Sequence, residues 1–373
     1  MVRDADISFM QRAISLAEMA AYSARPNPHV GCVLVRDDVI IGEGYTCPPG
    51  GNHAEIQALQ AAGDARGATA YVTLEPCSHK GLTGPCADAL INSGISKIYV
   101  ALEDPNPLVS GKGLERLAAA GLEVNTGILS EQAEVLIAGY IARMRRGRGR
   151  VRVKLAMSLD GRTAMPSGES RWITNKAARQ DVQLLRARSC AIMTGIGTVI
   201  ADDCELTTRF CDSRVFSQEQ SRMLSPTLRV LLDSEVRVPK GSRILSKDAP
   251  TLIIHGQGEK HDPQLPNYVE HISVKSNHRG LDLNDVMKIL SRRCCNEILV
   301  ESGSRLAGSL LCNGLLDELI IYVAPTFLGS EGLPLLELSL TKMTDRVQLE
   351  IIERVELDGN FRLTVVPKPK LED

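Results

Sequence analysis

A histidine, two cysteines and a glutamate stand in an order that can carry hydrolytic chemistry: His53-Ala54-Glu55, then Glu75-Pro76-Cys77, then Cys86. One imidazole and two thiolates fill three corners of a tetrahedral Zn²⁺ site and leave the fourth to water, the mark of a catalytic rather than a structural metal. Water bound there falls from a pKa of ~15.7 to roughly 7, so hydroxide becomes available at neutral pH. A carboxylate outside the coordination shell must still move protons. Glu55 follows His53 by two residues, so it can lie beside that water without ligating the metal. A redox pair Cys77/Cys86 is the competing use of the thiols, but the pair lacks the Cys-x-x-Cys spacing that tunes thiol reactivity.

These side chains need a framework. Phe9, Met10, Ala13, Ile14 and Ala17 repeat at helical spacing, and Pro26 and Pro28 forbid its continuation. Two strands are predicted over 30–36 and 39–45 around the Asp37-Asp38 turn, and a helix over 53–62 stopped by Gly63. His53 and Glu55 then fall on that helix's first turn. A β-rich run over 69–74 leads into Pro76-Cys77, and a helix over 85–93 ends at Gly94, so the two cysteines flank the loop 78–84 and face the histidine helix. Further strands at 97–101 and 122–125 complete a strand-helix alternation. The order His-x-Glu then Pro-Cys is the pattern of zinc nucleobase deaminases.

At 373 residues the chain is too long for one average core and suggests two domains. A formal net charge of −2 gives no electrostatic reason to expect nucleic acid as the main partner, and 3% aromatic content argues against base-stacking platforms. No apolar run approaches the ~20 residues needed to span a bilayer. Met1-Val2-Arg3-Asp4 opens a polar segment, so a cytoplasmic location without membrane partners is expected. Ten cysteines without a pattern fit a reducing compartment. The composition shifts at Arg143-Met144-Arg145-Arg146-Gly147-Arg148-Gly149-Arg150, between a predicted helix over 131–141 and a strand from 151, and the domain boundary is placed there.

Beyond it, a strand over 151–156, a turn at Ser158-Leu159-Asp160-Gly161 and a long helix over 175–188 are predicted, followed by a strand over 190–194 that runs into Gly195-Ile196-Gly197-Thr198. A lone Gly-x-Gly is a weak phosphate signal that lacks the full dinucleotide fingerprint, and by itself it is expected to be a tight turn. Strand 297–300, the turn Glu301-Ser302-Gly303-Ser304 and a helix over 306–312 make a better anion site at a helix N-terminus. Strands over 319–324, 348–355 and 361–366 make this half strand-rich α/β.

Pro26-Asn27-Pro28-His29-Val30-Gly31, His53-Ala54-Glu55, Thr73-Leu74-Glu75-Pro76-Cys77-Ser78-His79, Pro85-Cys86, Asp104-Pro105-Asn106-Pro107 and Ser158-Leu159-Asp160-Gly161-Arg162-Thr163-Ala164 resemble the bifunctional riboflavin-biosynthesis deaminase-reductase family. The resemblance covers nearly the whole chain. It implies a cytidine-deaminase-like αβα layered domain over 1–147 and a dihydrofolate-reductase-like α/β domain over 148–373, with Zn²⁺ and NADPH as cofactors and a homo-oligomer as the assembly. It implies deamination of a phosphorylated diaminopyrimidine and reduction of its ribose to a ribityl chain; a deaminase-reductase for another nucleobase derivative is the alternative. Matching motifs give Asn27 as the pyrimidine contact, Glu55 as the proton carrier, and Lys154, Ser170, Arg186, Leu206, Arg209 and Glu301 as the reductase substrate pocket. They give Ala156, Trp172, Thr198, Asp202, Ser234 and the run Gly303, Ser304, Arg305, Leu306, Ala307, Gly308 and Ser309 as NADPH contacts. Arg186 and Arg209 each offer a planar fork to a phosphate or an ion-pair partner. The chain departs from the family pattern at Thr46, where a histidine is usual, at Leu82, where a basic residue is usual, and at Gly84 and Cys204 in place of prolines.

Overall fold

The computed structural model describes residues 2–78, 84–209, 224, 226–259, 263–278 and 280–368. Two compact units meet in sequence between Gly147 and Arg148.

The first unit is built on a five-stranded sheet of order β2-β1-β3-β4-β5, with β1 Gly31–Arg36, β2 Val39–Tyr45, β3 Thr69–Val72, β4 Lys97–Val100 and β5 Glu123–Thr126. β1 pairs antiparallel with β2 and β3, and β3, β4 and β5 run parallel. Its helices are α1 Asp4–Ala20, α2 Ala54–Ala62, α3 Cys86–Asn92, α4 Lys112–Ala119, α5 Ser130–Leu136 and α6 Ala138–Arg146. Met10, Ala13 and Ala17 of α1 are fully buried against a core that includes Cys32, Leu34, Val72 and Ile98, so the helical spacing read from the sequence is a packing face. Close approach sets α2: a Cβ on Gly42 would lie 2.2 Å from the Ala58 carbonyl oxygen, and one on Gly44 would lie 2.3 Å from that of Ala54. Those two glycines let the helix that follows His53 rest directly on β2. Two differences from expectation stand here. His53 is the N-cap of α2 rather than a first-turn residue, and the helix predicted over 131–141 is two helices, broken at Ile137.

The second unit carries a nine-stranded sheet of order β11-β10-β9-β8-β14-β6-β15-β18-β17. Its strands are β6 Arg150–Ser158, β8 Ala191–Gly195, β9 Leu228–Leu232, β10 Thr251–Gly256, β11 Glu270–Val274, β14 Glu297–Glu301, β15 Glu318–Ala324, β17 Leu349–Leu357 and β18 Asn360–Pro367; short pairs join β7 Arg162–Ala164 to β16 Leu333–Pro334 and β12 Ser276–Asn277 to β13 Gly280–Leu281. From β11 to β15 the strands are parallel, and β18 and β17 add antiparallel rungs. β8, β14 and β15 are largely apolar runs, as expected of a parallel sheet covered on both faces, whereas β6 between β14 and β15 alternates Arg150, Arg152 and Lys154 with apolar residues. The helices are α7 Lys176–Ala187, α8 Ile196–Asp202, α9 Leu283–Arg292 and α10 Ser304–Cys312. The glycine pair Gly195-Ile196-Gly197-Thr198, expected as a turn, opens α8 instead.

Candidate functional site

In the first unit three elements deliver three ligand atoms. His53 caps α2, Cys77 follows β3 by a short loop, and Cys86 begins α3. Their ligand atoms lie within 4.8 Å of one another, with Cys86 Sγ 3.3 Å and Cys77 Sγ 3.8 Å from His53 Nδ1. The backbone N–H of Cys86 donates to Cys77 Sγ at 3.4 Å. One nitrogen and two sulfurs converging at this distance suit a tetrahedral Zn²⁺ with one position left over. A bond from the Cys86 thiol, followed by one from His53, lowers the Cys77 thiol against the opposing effect of burial, and that thiol–thiol bond and burial raise Cys86. His53 is raised by its bond to Cys77, with burial opposing.

Glu55 is 3% exposed. Burial pushes its carboxyl up to about 7, against the pull of a backbone hydrogen bond and of His53. A carboxyl balanced there can both accept and release a proton near neutrality. Asn27 is half-buried on the turn before β1, with its N–H on the Ala24 carbonyl at 2.8 Å. Thr46 braces that turn: its hydroxyl accepts from Val30 N–H at 3.0 Å and donates to the Pro28 carbonyl at 3.1 Å. Where a polar ring was expected to be missing, a buried hydroxyl therefore holds the Asn27 segment. Leu82 lies outside the described residues, and Gly84 is exposed with nothing near the place of a Cβ.

In the second unit Lys154 and Glu301 are facing rungs of β6 and β14, with Nζ 3.9 Å from the carboxylate. Arg186 of α7 grips the same carboxylate through Nε at 2.6 Å and Nη2 at 3.0 Å, and donates from Nη1 to the Thr207 carbonyl at 2.8 Å. Its fork is thus spent inside the protein. Burial alone would raise Glu301, but Arg186 and Lys154 overcome it and hold the carboxyl down at about 2. Burial, with Arg186 adding, lowers Lys154 against the pull of Glu301. Arg209 is exposed, and its N–H is fixed on Gln183 Oε1 at 2.9 Å. Leu206 is buried in a left-handed backbone conformation at φ 52°. Nearby Cys204 is pushed up to about 12 by burial and by Glu301.

The cofactor candidates divide. Ser170 donates to Asp202 Oδ1 at 3.4 Å and Arg171 to the Asp202 carbonyl, so the segment before Trp172 is tied to the end of α8. Trp172 is 68% exposed, its ring covered by the Arg179 guanidinium at 4.6 Å. An exposed indole fixed in this way is a stacking surface rather than a core residue. Ala156 and Thr198 are half-buried on β6 and α8, and Ser234 follows β9 with its carbonyl on Gly256 N–H at 3.0 Å. Thr194 Oγ1 and Asp233 Oδ1, beside these positions, are buried without a protein hydrogen-bond partner, and a cofactor rich in hydroxyls and amide groups suits such a place. Gly303 caps α10, and Ser304, Leu306 and Ser309 are half-buried. Arg305 is exposed beside Glu337, at 3.6 Å. Ala307 and Gly308 instead turn inward: Ala307 is fully buried, and a Cβ on Gly308 would lie 2.3 Å from the Glu337 carbonyl oxygen. These two pack the helix onto its neighbour.

Sequence reasoning passed over several residues that hold these sites. Asp181 of α7 accepts from Tyr322 Oη at 2.6 Å and from Arg362 Nη1 at 2.7 Å, and so fixes the helix that carries Arg186. Asn175 caps α7 and donates to the Leu357 and Asp358 carbonyls at 2.7 and 2.8 Å.

Fold and site define a zinc-dependent deaminase joined in one chain to a strand-rich α/β reductase. The model of the cytidine and deoxycytidylate deaminase zinc-binding region matches residues 3–102, and that of the RibD C-terminal domain matches 150–358. The riboflavin biosynthesis protein RibD of Escherichia coli is 45% identical over 93% of this chain and 95% of its own length. That of Haemophilus influenzae is 43% identical over 97% and 98%. The solved RibD of Acinetobacter baumannii superposes with TM-score 0.91 at 42% identity, over 98% of this chain and 99% of that one. The deaminase/reductase of Thermotoga maritima gives 0.86 at 32% identity over the same shares. The chain belongs to the bifunctional deaminase-reductase family of riboflavin biosynthesis, whose cofactors are zinc and NADPH.

Proposed function

We propose that residues 1–147 remove the C2 amino group of 2,5-diamino-6-ribosylamino-4(3H)-pyrimidinone 5′-phosphate by hydrolysis, and that residues 148–373 reduce the ribosyl C1′ of the product to an open ribityl chain. The observation that carries this reading is the convergence of the His53, Cys77 and Cys86 ligand atoms within 4.8 Å of one another, with Glu55 buried on the helix that His53 caps. His53, Cys77 and Cys86 hold the metal, which when bound makes water nucleophilic at neutral pH. Glu55 carries the proton to the departing nitrogen, and Asn27 orients the pyrimidine. In the second unit Glu301, oriented by Arg186 and Lys154, accepts from the ribose hydroxyls, Ser170 and Leu206 complete the pocket wall, and exposed Arg209 takes the phosphate. Trp172, Ala156, Thr198, Asp202, Ser234 and the first turn of α10 hold NADPH, which supplies the hydride.

Ammonia release from a panel of phosphorylated and free pyrimidines tests the substrate. Release from the diaminopyrimidine phosphate well above that from cytidine and deoxycytidylate is expected; preference for either of the latter two would assign another nucleobase.

We also infer a homo-oligomer. β17 is an edge strand of the large sheet, and Leu349, Ile351 and Ile352 on it are 41, 45 and 53% exposed. A long apolar edge of this kind is ordinarily covered, and a second copy of the chain is the proposed cover, with the solution mass as the test. Among the described residues no helix is long and apolar enough to cross a membrane; a cytoplasmic setting is our reading.

A further inference from the structure

Glu75 stands two residues before Cys77, is 3% exposed, and has no part in the chemistry assigned above. Its side chain gathers backbone N–H groups from a distant stretch of chain. Oε2 accepts from Asp104 at 3.0 Å and Gly111 at 3.0 Å, and Oε1 accepts from Gly113 at 2.7 Å and Leu114 at 3.4 Å. Three of these donors open α4, whose own N-cap, Gly111, supplies no side-chain hydrogen bond. The first turn of a helix leaves N–H groups unsatisfied and carries partial positive charge, so Glu75 caps α4 from another part of the chain. The fit is close: a Cβ on Gly113 would lie 2.2 Å from the Pro76 carbonyl oxygen. The fourth donor, Asp104, starts the Asp104-Pro105-Asn106-Pro107 turn. There Asp104 Oδ1 accepts from Asn106 N–H at 2.8 Å and from Tyr140 Oη at 3.0 Å, and Asn106 Oδ1 accepts from Leu108 N–H at 3.1 Å. One buried side chain thus ties the segment bearing Cys77 to α4 and to this turn.

We propose that Glu75 is a positioning residue of the metal centre: by capping α4 and fixing Asp104, it sets the place of Cys77 relative to His53 and Cys86 and so governs how tightly zinc is held. This rests on the reading that those three residues are the ligands. Groups that orient metal ligands typically change metal affinity by roughly 10–100-fold when altered. Glu75→Gln keeps the size of the side chain but replaces one acceptor oxygen by an NH₂ group that faces backbone donors.

The test is the rate of zinc transfer from the full-length protein to a chromogenic chelator. Asp6→Asn serves as a control for stability alone. Asp6 accepts from Tyr71 Oη at 2.7 Å, Tyr99 Oη at 3.2 Å and Arg3 Nη2 at 2.8 Å in the same unit, and among the described residues it makes no hydrogen bond to the segment bearing Cys77 and Cys86. Glu75→Gln is expected to release zinc roughly 10–100-fold faster than the parent, while Asp6→Asn lowers the thermal midpoint but releases at the parental rate. Gly113→Ala, which forces α4 off Pro76, is expected to shift release in the same direction as Glu75→Gln, and it carries the test if Glu75→Gln does not fold. Release from Glu75→Gln at the parental rate, or matched by Asp6→Asn, would overturn the role of Glu75 with the metal site intact. A parent protein that holds no zinc would overturn the ligand assignment itself.

Discussion

At the scale of single residues, the division of labour between ligands and Glu55 makes the sharpest prediction. Glu55→Gln removes a proton carrier without removing a ligand. It should keep about one zinc per chain and lose deamination by roughly 10²–10⁴-fold, with reduction intact; metal analysis beside ammonia release checks both. Loss of the metal in that variant would place the carboxylate in the coordination shell. With Arg186 committed to Glu301, exposed Arg209 is the arginine proposed to take the phosphate. Arg209→Ala should raise the apparent KM of reduction by about ten- to a hundredfold, the equivalent of roughly 1.5–3 kcal/mol for a charge-assisted bond, and leave ammonia release unchanged. Steady-state NADPH oxidation on the deaminated intermediate reads this. The approach of His53, Cys77 and Cys86 to one another was legible because metal chemistry restricts residue type and order. Thr46 and Glu75 were not, because their partners are backbone groups brought close only by folding, Val30 in one case and Gly111 to Leu114 in the other. The Arg186 fork could be read only as a choice between anion and ion pair, since its partner Glu301 comes from β14, far along the chain.

Among the elements, those with a clear period and clear stops were legible: α1 by its apolar spacing, α2 and α3 by Gly63 and Gly94, β1 and β2 by the turn between them. Short apolar runs such as Leu228–Leu232 and Thr251–Gly256 carry no period that separates a buried strand from a piece of buried helix. Gly195-Ile196-Gly197-Thr198 misled because glycine favours turns, whereas here Gly195 is the extended N-cap and Gly197 sits within the helix. The connection between α7 and the β17–β18 hairpin was equally hidden, as it depends on Asn175 and on the pairing of Asp181 with Arg362 across a long stretch of chain. Asn175 Oδ1 accepts from Ala178 N–H at 2.9 Å, its backbone N–H donates to Asn360 Oδ1 at 2.9 Å, and its side-chain amide donates twice to the hairpin turn. Asn175→Ala should destabilise the second unit by roughly 1–2 kcal/mol, the range for a lost N-cap, seen as a fall of a few degrees in the thermal midpoint of that unit. An unchanged midpoint would show that the ladder and the Asp181–Arg362 pair hold the hairpin without Asn175.

For the whole molecule, each unit has its own sheet and its own core, and each gathers a different set of ionisable side chains. The arginine- and glycine-rich stretch that marked the composition shift contains the place where one unit gives way to the next. The central claim is that one chain performs two consecutive reactions on one phosphorylated pyrimidine. It is tested most directly by mass analysis of products after purified, zinc-loaded protein is incubated with the diaminopyrimidine phosphate, once without and once with NADPH. The account predicts a product with the amino group exchanged for oxygen in the first case, and in the second the same product carrying two further hydrogens. Reduction of the substrate with its amino group retained, or a deaminated product that NADPH leaves unchanged, would contradict it.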